Sequence, residues 1–241
     1  MNVLLLPFDN NAVINKLYVA CRTCYSKEGP ISIWNEIKDK NAEEDLEKRI
    51  KLIKQVCDSG HTSTMEHVQF TFLIEGVSRQ LTHQLVRHRI GTAFSQMSQR
   101  YCAMDGKLEA VIPESIASNP EMNELALTTL QTLEDVYHTM LSGGIKAEDA
   151  RCVLPNAAAT NLTMSVNLRE LMHICEERLC TCAQAEIRSL VNIMAFAIKK
   201  ELPFLDKYLG PKCEKLMYCP ESEKRSCGRK PVKSKVFKEK R

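Results

Sequence analysis

Between Gly76 and Met104 the chain places Arg79, Arg87, Arg89 and Arg100, with His83 and His88, in 29 residues that contain no Asp or Glu. A solvated face usually mixes both signs, so uncompensated guanidinium groups around a polar stretch point to an anionic ligand. The planar fork of Arg matches phosphate geometry. Arginines paired with acids elsewhere in the chain give the same local pattern, and spacing alone leaves the two readings level. Arg87-His88-Arg89 closes an expected helix, and a hydroxyl-rich loop leads on to Ser98-Gln99-Arg100. Alternate residues of an extended chain face one way, so Ser98 and Arg100 are expected to face one ligand together.

Hydrolytic and glycine-loop chemistries fit less well. A Ser98 nucleophile needs a base oriented by a third group. His83 and His88 lie near, but the segment has no acid to orient either, and no Gly-x-Ser-x-Gly elbow occurs. Neither the dinucleotide nor the P-loop glycine fingerprint is present. Phosphates then fall to arginines and helix ends. Arg178 is an independent signal. On a helix starting at Asn167, positions 167, 171, 174 and 178 share a narrow angular band, so Arg178 joins Leu171 and Ile174 on an apolar stripe. A cation there needs a ligand or a buried carboxylate, because an unpaired buried charge is costly. Asn167 and Glu170 stand as N-cap and N3 of a capping box.

The elements that must hold these groups follow from periodicity and punctuation. Strands are expected at Val3 to Phe8, Val68 to Ile74 and Thr160 to Val166. Helices are expected at Asn11 to Tyr25, Ala42 to Cys57, Ser78 to Ile90, Asn119 to Leu141, and over most of Asn167 to Leu202, with a break near Cys180 to Cys182. Gly29-Pro30 reads as a breaker, Gly91 to Met104 as a loop, and Gly210-Pro211 as the end of the fold. With 241 residues, 44% hydrophobic and 26% charged, the chain is expected to form one mixed α/β, helix-rich domain with a small sheet and long helices. That domain spans residues 1–210, and a Cys-containing basic tail fills 211–241.

From Lys207 onward there are 12 Lys/Arg against 4 Asp/Glu, which leaves the first 206 residues mildly acidic at 21 against 26. The opening Met1-Asn2-Val3-Leu4-Leu5-Leu6-Pro7 has no basic lead, and no apolar run reaches the length of a membrane span. A cytoplasmic protein is expected. Eleven cysteines without an export signal do not suggest a disulfide framework. Cys213, Cys219 and Cys227, with Cys180 or Cys182, offer a possible zinc set, but the spacing is not a paired C-x-x-C pattern. A reduced or redox-sensitive tail without metal is the favoured expectation, ending in a disordered basic stretch from Lys230 to Arg241.

Arg87-His88-Arg89 followed by Ser98 resembles the signature of the flavin-dependent thymidylate synthases, in which seven residues separate Arg-His-Arg from Ser; here eight do. Gly60-His61-Thr62-Ser63, Ala150-Arg151-Cys152-Val153-Leu154-Pro155 and Asn167 through Arg178 to Arg188 resemble further segments of that family, and the likeness runs from about Tyr18 to Leu205. Counting back from Ser98-Gln99-Arg100-Tyr101 places the extra residue near Ile90-Gly91. The resemblance implies reductive methylation of dUMP to dTMP. Methylenetetrahydrofolate gives the carbon, reduced FAD gives the hydride, and NADPH re-reduces the flavin. It implies dUMP contacts from Gln84, Gln96, Met97 (through its backbone), Ser98, Arg100, Arg151 and Arg178, with Arg178 and Ser98 carrying catalysis. It implies FAD contacts from His61, Ser63, Arg87, His88, Arg89, Asn167 and His173. It also implies a homotetramer with shared active sites and neither a membrane nor a nucleic-acid partner. A nucleic-acid or phosphoprotein binding module is the other reading. Interleaved aromatics would support it, and only Phe94 and Tyr101 fall in the patch.

Overall fold

The computed structural model of the chain describes residues 1–104 and 106–237. Strands β1 (Asn2–Leu5), β2 (Gln69–Ser78), β3 (Thr92–Gln96) and β4 (Ala159–Asn167) form one antiparallel sheet in the order β1-β2-β4-β3. Around it run α1 (Asn10–Tyr25), α2 (Pro30–Ile37), α3 (Glu43–Asp58), α4 (Arg79–Leu85), α5 (Glu114–Ala117), α6 (Pro120–Ser142), α7 (Ala147–Ala150), α8 (Leu168–Arg178), α9 (Ala185–Glu201), α10 (Lys212–Leu216) and α11 (Lys233–Val236). The mixed, helix-rich class with a small sheet agrees with the sequence reading.

Alternation builds the core. Phe70, Phe72 and Ile74 of β2 and Leu162, Met164 and Val166 of β4 are buried at every second position. They join Leu17 of α1, Ile53 of α3, Leu171 and Ile174 of α8, and Leu190 and Met194 of α9 in one hydrophobic cluster that reaches Leu209. The long α6 behaves differently. Of its 23 residues only Tyr137 is buried, and Leu125 and Leu127 are 60% and 51% exposed.

Several boundaries depart from expectation. Gly29-Pro30 does lie in the break after α1, but it also starts α2, with Pro30 at the first helical position, where its missing N–H costs nothing. The expected loop from Gly91 holds edge strand β3, paired with β4 from Thr92↔Val166 to Gln96↔Leu162. Its polar composition concealed a strand that is buried only in part, with Phe94 packed on the core. The expected helix from Ser78 to Ile90 is shorter, because β2 runs on to Ser78 through a register shift between Ile74 and Val77, and α4 stops at Leu85. The first strand ends at Leu5, not Phe8. The expected break in the long C-terminal helix is real and separates α8 from α9.

Residues 211–237 fold back on the body. Cys219 pairs with Val232 in an isolated bridge, both residues are buried, and Lys215 of α10 reaches Glu176 of α8 at 2.5 Å. The stretch from Lys230, expected to be disordered, therefore holds a buried Val232 and α11 as far as Val236; its last four residues, 238–241, lie outside the described residues. Among the described residues, no helix is long and apolar enough to cross a membrane.

Candidate active site

The cationic segment is hung between two fixed points. At its start, Ser78 ends β2 and caps α4, its Oγ accepting from the Leu81 N–H at 3.0 Å. Glu186 of α9 pins that junction, taking the Ser78 N–H at 2.7 Å and the Ser78 hydroxyl at 2.5 Å. At its far end Gly91 turns the chain into β3 with φ +65, and its carbonyl accepts from the Asn167 N–H at 2.8 Å. The approach is close enough that a Cβ on Gly91 would lie 1.9 Å from Asn167 Nδ2. Ile90 beside it is 75% exposed and faces solvent.

Between those points His88 turns inward, 7% exposed, while Arg87 and Arg89 face solvent. Nε of Arg178 donates to His88 Nε2 at 3.1 Å, and His88 Nδ1 lies 3.1 Å from Glu170 Oε1. A neutral imidazole has one N–H, and a guanidinium only donates. The network therefore assigns the proton to Nδ1, from which it is donated to Glu170. Burial first, then the Arg178 charge, push His88 down to about 4, so the ring is neutral near pH 7. Burial pushes Glu170 up from the usual carboxylate range. Ligand atoms of His88, Glu170 and exposed His173 lie within 4.8 Å of one another. With Nε2 occupied by Arg178 and that guanidinium charge alongside, the cluster is a hydrogen-bond network, not a cation site.

The partner of Arg178 is thus an imidazole, not a carboxylate. Among the described residues Nε is the one Arg178 nitrogen that is hydrogen-bonded, which leaves both terminal amines of the fork for a ligand. The expected capping box is half made. Asn167 Oδ1 accepts from the Glu170 N–H at 2.8 Å, but the Glu170 carboxylate goes to His88 instead of returning to Asn167. Glu170 and Gln99 have no role of their own at the site in the sequence reading, which names Arg79 only as one cation of the Gly76–Met104 segment. Glu170, Ile174 and Arg178 follow one another at helical spacing, and that acid two turns before the cation was a readable signal.

On the β3 side, Met97 is held through its backbone, its N–H donating to Asn161 O and its O accepting from Arg79 Nη2, both at 2.9 Å. Gln96 Nε2 donates to the Thr82 and Thr160 hydroxyls at 3.1 and 3.3 Å, and Gln84 Nε2 to Gln184 Oε1 at 3.4 Å. Ser98 and Arg100 do not alternate on an extended chain. The Cys102 N–H donates to Ser98 O at 2.9 Å and closes a turn, the Ser98 hydroxyl accepts from the Arg100 N–H at 3.2 Å, and the Arg100 side chain pairs with Glu148 of α7 at 3.0 Å. Arg151 Nε donates to the carbonyl of that same Glu148 at 3.0 Å. Among the described residues, Arg79 Nε and Gln99 Nε2 are buried with no hydrogen-bond partner. Burial, then the charge of Arg151, holds the Arg79 pKa below its usual value. Orphaned buried donors are rare, and two beside one loop mark where a ligand acceptor belongs.

On the α8 side, Asn167 and His173 line a cleft of about 420 Å³ with Thr62, Ile90 and Glu170. Thr62 stands between His61 and Ser63, both exposed, and the His61 ring lies edge-on to Tyr25 at 5.9 Å. Arg87 and Arg89 lie outside that cleft lining, and among the described residues neither forms an ion pair.

The chain is similar to known proteins over most of its length. The family model described as thymidylate synthase complementing protein matches residues 10–204. A flavin-dependent thymidylate synthase of Nitratidesulfovibrio vulgaris is 40% identical over 232 residues, covering 92% of this chain and 93% of that one. Its counterpart in Pyrococcus abyssi is 41% identical over 201 residues, covering 80% and 82%. Among solved structures, the UMP/dUMP methylase PolB of Streptomyces cacaoi, bound with 5-Br dUMP, shares the fold with a TM-score of 0.67 at 22% identity, over 86% of this chain and 93% of that one.

Proposed function

The chain belongs to the thymidylate synthase complementing protein family, and we propose that it methylates dUMP reductively to dTMP. In this reading the carbon comes from methylenetetrahydrofolate and the hydride from FAD, with NADPH restoring the reduced flavin. The observation that carries the reading is the Glu170–His88–Arg178 chain, which fixes a cation by its Nε and leaves its fork open. A pyrimidine ring that meets that fork finds a stationary positive charge where negative charge develops on ring atoms, and stationary charge in a dry site stabilises a transition state without reorganising.

The remaining residues divide by chemistry. Arg79 and Gln99 offer the orphaned donors of the nucleotide side. Gln84, Gln96, the Met97 backbone, Ser98, Arg100 and Arg151 surround the same loop. Ser98 orients the nucleotide and is not a nucleophile, since its hydroxyl accepts from the Arg100 N–H and no base is bonded to it. The residues present fit a flavin dinucleotide. Arg87 and Arg89 are open forks for its two phosphates, and His61, Ser63, Asn167 and His173 gather at or beside the cleft on α8. Bound there, FAD supplies the hydride chemistry that no side chain of the protein offers. His88 serves that site from beneath, by holding Arg178, and not by meeting phosphate.

A homotetramer with shared active sites is part of the proposal, supported by the exposed apolar side of α6 at Met122, Leu125 and Val136. Residues 1–210 form the catalytic domain in this reading, supported by a core that closes at Leu209. dUMP, folate and NADPH are charged and cross no bilayer unaided, so we place the enzyme in the cytoplasm. A nucleic-acid stripe is not favoured, because only Phe94 and Tyr101 fall in the cationic segment to stack on bases, and Arg100 is paired with Glu148. The test is anaerobic mixing of the reduced protein with dUMP and methylenetetrahydrofolate while flavin absorbance is followed. Reoxidation that depends on dUMP and yields dTMP is expected; a protein that takes up no FAD overturns the reading.

A further inference from the structure

Five of the eleven cysteines converge on one cavity that borders the site described above at Arg178. Cys180 and Cys182, in the turn between α8 and α9, line a cavity of about 280 Å³ together with Cys213, Cys219 and Cys227 of the C-terminal segment. All five are free thiols. Ligand atoms of Cys180, Cys182 and Glu221 already lie within 4.8 Å of one another, and Cys182 Sγ reaches Arg225 O at 3.4 Å. The Cys219 N–H and O bond to Pro231 O at 2.7 Å and the Lys233 N–H at 3.1 Å, so the segment is looped around this sulfur. Two distant stretches of sequence therefore deliver thiols to one place.

The segment gives a second, independent reason. Between 211 and 237 only Pro211, Cys219 and Val232 are buried, and regular structure is limited to the five residues of α10 and the four of α11. So small an apolar content does not fix a chain of this length, and segments of this kind are commonly held by a disulfide or a metal. We propose that Cys219 and Cys227, with two of Cys180, Cys182 and Cys213, bind one zinc-type divalent cation as thiolates, which clasps the C-terminal segment to the turn that follows Arg178. Each ligating thiol releases its proton to solvent, and nothing is oxidised. Four thiolates and one dication leave a charge of about −2. Lys212, Arg225, Arg229 and Lys230 line the same cavity and offset that charge. Soft sulfur donors in a closed set select zinc over the hard oxygen-seeking cations. The carboxylate of Glu221 remains paired with Arg225 at 3.4 Å. Arg178 lines this cavity as well, so the clasp backs directly onto the residue whose Nε holds His88.

The proposal is independent of the flavin reading and is tested without turnover. Protein purified under reducing conditions without chelator should contain about one zinc ion per chain by elemental analysis. Thiol titration of the native protein should fall short of the total, and a mercurial should release zinc together with the missing thiols. Cys219→Ser should lose the metal and lower the melting temperature. Should that variant fail to fold, Cys227→Ser, at an exposed position, gives the same metal readout in a folded chain. Bound FAD per chain should hold near the unsubstituted value in Cys227→Ser. Substoichiometric metal after zinc reconstitution, or all five thiols reacting freely in the native protein, overturns the proposal. Iron with acid-labile sulfide in place of zinc overturns it equally.

Discussion

Arg178 donates from Nε to His88 Nε2 at 3.1 Å, joining residues 90 positions apart. The bond requires His88 to be a neutral acceptor on that side, and Glu170 on the other side takes its remaining proton. The orientation of the cation therefore depends on the protonation state of a ring that is itself buried.

That dependence has a sign. His88 titrates near 4 in the folded chain against 6.5 for a free imidazole. Between those values the unfolded chain binds more protons. The contribution of His88 to stability is thus complete above pH 6.5 and is lost as pH falls toward 4. Gln at this position offers one donor and one acceptor and does not titrate. Melting temperatures measured across this range should fall less steeply for His88→Gln than for the unsubstituted protein, while Glu170 titrates in both. Parallel curves would show that His88 is not the titrating group.

Arg178→Lys keeps the charge but loses the fork and the Nε bond, so nucleotide binding should suffer more than flavin content. Arg178→Ala should cost about 2–3 kcal/mol, roughly 30- to 150-fold, in dUMP-dependent flavin reoxidation. Stopped-flow absorbance under anaerobic conditions measures this. Reoxidation at the unsubstituted rate would reduce Arg178 to a structural partner of His88.

Ser98→Ala removes one hydroxyl that accepts the Arg100 N–H. A loss of about 1 kcal/mol, roughly 5-fold, in dUMP affinity is expected, with turnover slowed but present. Mass spectrometry of quenched turnover mixtures should find no covalent Ser98–nucleotide adduct; a trapped adduct would make Ser98 a nucleophile.

Gly91→Ala forces a side chain into the left-handed region at φ +65 and against Asn167 Nδ2. The backbone term alone costs about 1–2 kcal/mol, and displacing Asn167 removes the cap of α8 and one expected flavin contact. Both the melting temperature and FAD uptake in titration should drop. Normal FAD affinity in a folded Gly91→Ala would separate Asn167 from the flavin site.

Much of the candidate site was legible before folding. The acid-free run from Gly76 to Met104 marked the cationic segment, and the stripe position of Arg178 showed that it needed a partner, because charge and helical period are local properties of the chain. Core strands β2 and β4 were readable from alternation for the same reason. Edge strand β3 was not, since a partly buried edge carries a polar sequence, and its pairing with β4 comes from residues about 70 positions away. Tertiary structure alone decided that His88 turns inward while Arg87 and Arg89 turn out. It also decided that Glu170 leaves its capping box for an imidazole, and that five scattered cysteines share a cavity. Each of these is a contact across many residues of chain, fixed by how elements pack. A single sequence records the side chains available for such contacts, but not which of them meet.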